Sequence, residues 1–220
     1  KNWVPIPQGA RELAGMKLDA IVTTCSPSTR AAKQATSFTP IVMAAVSDPV
    51  GQKLIASLAK PGENVTGLSS QAEDLLAKRL ELLAKMNSKI TAVAVMMNAN
   101  NAVHALGWQK LEVAAPLLKL NLVKIEVSGP DDIVAGVNTA VSSRAGALFV
   151  MPDDPMFFNY RARIVELAAR HRLPDFYWAS EFAEAGGLMS YGENLRSSYR
   201  SAAAYIDKIA TGSKPATLPV

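Results

Sequence analysis

Cys25, Ser26, Ser28 and Thr29 place one thiol and three hydroxyls in a single short turn. The turn closes an apolar run and opens a helix-like stretch. The free N–H groups and positive dipole end of such a helix suit a carboxylate or another anion. Capping by Ser26 or Ser28, with Pro27 in the first turn, uses the same residues. Asp48 follows a second apolar run, in Ser47-Asp48-Pro49-Val50-Gly51. It can pair with a ligand ammonium or cap the Pro49 turn. Asn98-Ala99-Asn100-Asn101 closes a third run with amides that both donate and accept. Pro152-Asp153-Asp154-Pro155 closes a fourth, just before Phe157 and Phe158. That acidic pair can hold an amine beside a ring, or it can cap a helix whose aromatics pack in the core. Trp178 and Ser180 follow a later run, and Tyr191 sits between Gly187 and Gly192.

Catalytic readings find less support. The chain has no Gly-x-Ser-x-Gly elbow, no Gly-x-x-x-x-Gly-Lys phosphate loop and no Gly-x-Gly-x-x-Gly fingerprint. Cys25 is the one cysteine, which excludes an intramolecular disulfide and a cysteine-built zinc site. With no histidine near it in sequence and no second cysteine, it reads as a packed thiol. His171 reads as a helix-end residue and His104 as a loop or helix-start residue. No catalytic residue, metal or cofactor is expected.

The elements that must position these groups alternate regularly. Apolar runs at residues 18–24, 40–46, 90–97, 122–127, 146–151 and 175–178 predict strands. Leu76, Leu80 and Leu83 recur at helical spacing, as do Ile133, Val137 and Ala140, then Ile164, Leu167 and Ala168, and finally Ala202, Ile206 and Ile209. Near-continuous apolar strands alternating with amphipathic helices predict parallel sheets covered on both faces, an α/β chain. In such sheets ligands bind outside the carboxyl ends of the strands, where the polar residues above stand. Pro116, inside the helical pattern of residues 104–120, predicts a kink or an early break costing roughly 3 kcal/mol. Short strand-like segments at residues 65–68 and 188–191, flanked by Gly62, Gly186-Gly187 and Gly192, predict either two crossings between lobes or two surface loops.

The whole chain has 220 residues, 49% hydrophobic and 19% charged. It is long enough to bury a core without disulfides, and its apolar runs are too short to cross a bilayer. The net charge of +4 comes without a run of basic residues or interleaved aromatics. That argues against a nucleic-acid partner. Residues 1–5 carry no apolar signal core.

Several segments together resemble a known family. They include Ser47-Asp48-Pro49-Val50-Gly51, Lys60-Pro61-Gly62-Glu63-Asn64-Val65-Thr66-Gly67-Leu68 and Lys78-Arg79-Leu80-Glu81-Leu82-Leu83. Others are Ala168-Ala169-Arg170-His171-Arg172-Leu173-Pro174, Gly186-Gly187-Leu188-Met189-Ser190-Tyr191-Gly192 and Gly212-Ser213-Lys214-Pro215-Ala216-Thr217-Leu218-Pro219-Val220. The chain is similar to ABC-transporter substrate-binding proteins of the tryptophan/tyrosine-binding type, from about Ile6 onward. The resemblance implies a type I periplasmic binding protein fold: two Rossmann-like lobes with parallel sheets joined by hinge crossings. Its lobes would be residues 1–66 for a partial lobe one, 67–189 for lobe two and 190–220 for the return to lobe one. It implies a small amino-acid-like ligand, held in the interlobe cleft and delivered unchanged to an ABC permease, by a monomeric, periplasmic or extracytoplasmic protein. By motif position the implied ligand residues are Ser26, Ser28, Thr29 and Asp48 from lobe one, and Asn98, Asp154 and Tyr191 from lobe two. Family members begin with a signal sequence and a further strand–helix–strand unit of lobe one. Lobe one is therefore expected to be incomplete, with an open strand edge or an exposed apolar face. The competing readings are a ligand-sensing effector domain of a regulator or receptor, and an enzyme such as a racemase or hydrolase.

Overall fold

The computed structural model describes residues 5–70, 72 and 74–220; residues 1–4, read above for a signal core, lie outside that range. The chain divides into two units, Lys1–Gln71 with Asn194–Val220, and Ala72–Glu193.

The first unit runs through α1 (Ile6–Gly15), β1 (Ile21–Thr23), α2 (Ser26–Ala35), β2 (Ile41–Ser47) and β3 (Val65–Ser70). Its strands form a parallel sheet in the order β1-β2-β3. β2 is central and buried along its whole length, as its apolar run from Ile41 to Val46 requires, and the polar Ser47 at its end is buried too. Among the described residues β1 pairs only with β2, so its outer edge is open, and Val22 on it is 44% exposed. This is the edge expected for lobe one.

The second unit holds α3 (Leu76–Met86), β4 (Ala92–Asn98), α4 (Ala102–Leu117), β5 (Asn121–Val127), α5 (Asp132–Ser142) and β6 (Ala147–Val150). It continues with α6 (Pro155–Asn159), α7 (Arg161–Arg170), β7 (Asp175–Tyr177), α8 (Ser180–Glu184) and β8 (Met189–Ser190). Five parallel strands lie in the order β5-β4-β6-β7-β8. The leucine stripe of α3, Leu76, Leu80 and Leu83, is wholly buried against Val93, Val95, Phe149 and Phe176. The chain then returns to the first unit as α9 (Leu195–Ala210). Ala202, Ile206 and Ile209 of α9 cover Val42 and Ala44 of β2. The C-terminal segment is tied in by bonds from the Thr66 hydroxyl to the Leu218 carbonyl (2.7 Å) and from the Val220 N–H to the Leu58 carbonyl (2.8 Å).

Several expectations change in detail. The unit limits fall after Gln71 and Glu193 rather than after residues 66 and 189. The reason is pairing: β3 extends to Ser70 along β2, and β8 pairs with β7. Pro116 is an early end to its helix. α4 stops at Leu117, and the Leu118 and Leu120 N–H groups both return to the Ala115 carbonyl. The five-residue α6 and α8 are too short to show a period in sequence.

Candidate functional site

Parallel strands put all their carboxyl ends on one rim of each sheet, and the polar turns stand there. In the first unit, Cys25 is the N-cap of α2, and its carbonyl accepts the Thr29 N–H at 3.0 Å. The expected capping by Ser26 or Ser28 is thus corrected, because the helix starts at Ser26 itself. Ser26 is buried; its Oγ accepts from Gln52 Nε2 at 2.7 Å. Thr29 is fully buried; its Oγ1 donates to the Cys25 carbonyl at 3.0 Å and lies 2.6 Å from Thr23 Oγ1. Ser28 is half-buried, with its Oγ 3.0 Å from the thiol of Cys25, which is itself buried. Thr24 Oγ1 and the Tyr199 phenol meet at 2.5 Å beside this turn. Asp48 is exposed, and its Oδ1 accepts the Gly51 N–H at 2.9 Å. It caps a turn rather than a helix.

In the second unit, β4 and β6 are neighbours, and the turns after them are joined through Asp154. Asp154 is buried and is the N-cap of α6. Its Oδ1 accepts from the Met156 N–H (2.9 Å) and the Phe157 N–H (3.1 Å). Its Oδ2 accepts from Asn98 Nδ2 (2.9 Å) and Asn101 Nδ2 (3.1 Å). All four bonds reach donors of this unit, so the carboxylate joins the turns together. Asn98 is half-buried at the end of β4. Phe157 is wholly buried and stacks on His104 with ring centres 5.9 Å apart, so it belongs to the core. Tyr191, just past β8, is 43% exposed, and its N–H donates to the Tyr177 carbonyl at 3.0 Å.

Sequence reasoning missed the supports behind these residues. His104 stands in the first turn of α4, the helix-start alternative, and its complete burial was not foreseen. Its Nδ1 accepts the Asn98 N–H at 2.8 Å, which leaves Nε2–H to donate to the Pro152 carbonyl at 2.8 Å. One neutral ring therefore braces both turns. Asn101 also donates to the Asp153 carbonyl at 2.9 Å. Arg79 is buried, and one signal of this was present: it falls three residues after Leu76 and four before Leu83, within the apolar stripe.

Burial pushes the His104 pKa below its ordinary value, against the opposing pull of Asp154 and the Pro152 carbonyl. The unfolded chain then binds the proton more readily than the folded one. Stability is therefore full above about pH 6.5 and falls, by up to about 1.4 kcal/mol per pH unit, as pH drops toward the folded value. Urea unfolding of wild type and His104→Gln between pH 7.5 and 5 checks this. The wild type should lose stability relative to the variant on acidification; parallel profiles would refute it.

The comparisons with known proteins bear on what these two rims serve. The family model for ABC transporter substrate binding proteins matches residues 2–220. The chain belongs to this family. A curated relative, the tyrosine-binding protein of Clostridioides difficile strain R20291, is 29% identical over 195 residues. The alignment covers 87% of this chain and 55% of the relative, so this family member spans about half the length of that protein. A conserved domain protein from Vibrio cholerae superposes with a TM-score of 0.86 at 26% identity, covering 98% of this chain and 71% of that one. The ABC domain in complex with L-Trp from Streptococcus pneumonia gives a TM-score of 0.81 at 23% identity, covering 98% and 73%. At that identity it shows the fold, the type I periplasmic binding protein architecture, and the family match adds the class of protein.

Proposed function

We propose that this chain is the solute-binding component of an ABC transporter, that it binds an amino acid with an aromatic side chain, and that it passes the ligand unchanged to a permease outside the cytoplasm. The observation that carries the reading is the family match across residues 2–220. The tyrosine named for the curated relative and the L-Trp bound in the Streptococcus structure indicate the ligand class. Binding without reaction also accords with the site chemistry. The Cys25 thiol is packed and the His104 imidazole is enclosed, and both hold structure.

The seven candidate residues divide by burial. Ser28, Asp48, Asn98 and Tyr191 keep exposed or half-buried polar groups and are the proposed direct contacts. Ser26, Thr29 and Asp154 are buried on partners of their own unit and are proposed to position the turns. Calorimetric titration of the complete protein with L-tryptophan, L-tyrosine, L-leucine and L-alanine is the test. We expect a micromolar dissociation constant, about −8 kcal/mol, for the aromatic pair and weaker binding of the others. Absence of heat with all four would sink the ligand class.

A further inference from the structure

The guanidinium of Arg79 is the least expected group in the second unit. It is 1% exposed on α3, between leucines that are wholly buried. Its Nε donates to the Tyr191 carbonyl at 2.7 Å, and Nη1 donates to the Ala72 carbonyl at 2.6 Å. Nη2 is buried with no hydrogen-bond partner among the described residues. Burial lowers the pKa to about 10, which still leaves a cation at neutral pH. A buried cation with an unmade hydrogen bond is costly, and an apolar residue of similar volume would suit the stripe better. What the cation provides is geometry. Ala72 opens the second unit and Glu193 closes it, so one rigid fork pins the entering and leaving chain to a single helix. The fit is close: a Cβ on Gly192 would lie 2.9 Å from Nη2 and 2.0 Å from the Trp178 carbonyl oxygen. Tyr191 is thus held through its carbonyl by Arg79 and through its N–H by Tyr177, while its half-exposed ring stands on the rim.

We infer that Arg79 is a positioning residue of the ligand site, acting through the Tyr191 backbone to set where the Tyr191 ring stands. This rests on the function proposed above. A lysine keeps the charge but lacks the fork that reaches both carbonyls.

The test is a double-mutant cycle on the complete protein with Arg79→Lys, Tyr191→Ala and the double variant, titrated with L-tryptophan. Each single change is expected to weaken binding about tenfold or more, and the double variant to be no weaker than the worse single one. Amide exchange without ligand should also speed up at Tyr191 and Gly192 in Arg79→Lys. If Arg79→Lys fails to fold, Arg79→Met, which removes the buried charge and keeps the volume, takes its place in both measurements. Wild-type affinity in the Arg79 variant, multiplying losses in the double variant, or unchanged exchange would each overturn the inference and leave the function standing. A wild-type protein that binds no amino acid overturns both.

Discussion

Asp154→Ala is expected to destabilise the second unit by about 3 kcal/mol, the sum of one lost helix cap and one acceptor lost to each of the Asn98 and Asn101 amides. The carboxylate is buried and accepts four hydrogen bonds: the Met156 and Phe157 N–H groups at the start of α6, and the amides of Asn98 and Asn101. Removing it leaves only the His104 ring and the Asn101–Asp153 bond to join the turn after β6 to the turn after β4, so ligand binding should weaken along with the stability. Asp154→Asn is a sharper probe. Its carbonyl oxygen can still cap α6, but its NH2 would face two other NH2 groups, so about half the loss should remain. Urea unfolding measures both; the midpoint should fall while the slope stays the same. A loss below about 1 kcal/mol for Asp154→Ala would mean that this network holds little.

Gly67→Ala is the second large effect, and it strikes the first unit. Gly67 lies in β3 opposite Met43, with φ at +127°, a conformation nearly exclusive to glycine. A Cβ there would sit 2.2 Å from the Met43 carbonyl oxygen and 2.5 Å from its nitrogen. Both are backbone atoms of the central, fully buried β2, so neither can turn aside as a side chain would. Strain plus overpacking sets the expected loss at about 3–5 kcal/mol. Limited proteolysis should cut Gly67→Ala within the first unit at temperatures where the wild type resists. Equal resistance of the two proteins would show that β3 can shift away from β2 at small cost.

The outcome at these residues shows what was legible beforehand. The parallel strands were readable because burial on both faces demands apolar runs, as in residues 41–46. The helices were readable where a stripe lasted several turns, as in Leu76, Leu80 and Leu83, and not in the five-residue α6 and α8. The candidate site was legible as a set of places, the turns after the strands. It was not legible as a set of roles. A hydroxyl or carboxylate after a strand has the same chemistry whether it binds a ligand, caps a helix or joins two loops.

The sequence by itself therefore determined the α/β alternation, the parallel sheets, the candidate turns and, through its motifs, the family. Only the tertiary structure decided which polar groups remain available. Asp154 meets Asn98 across 56 positions of sequence, and Arg79 meets Tyr191 across 112. Such partners are set by strand order, with β4 beside β6 and β8 at the sheet edge, and strand order is a property of non-local packing. Local spacing records which residues can form a hydrogen bond; the fold determines which donor arrives at each acceptor.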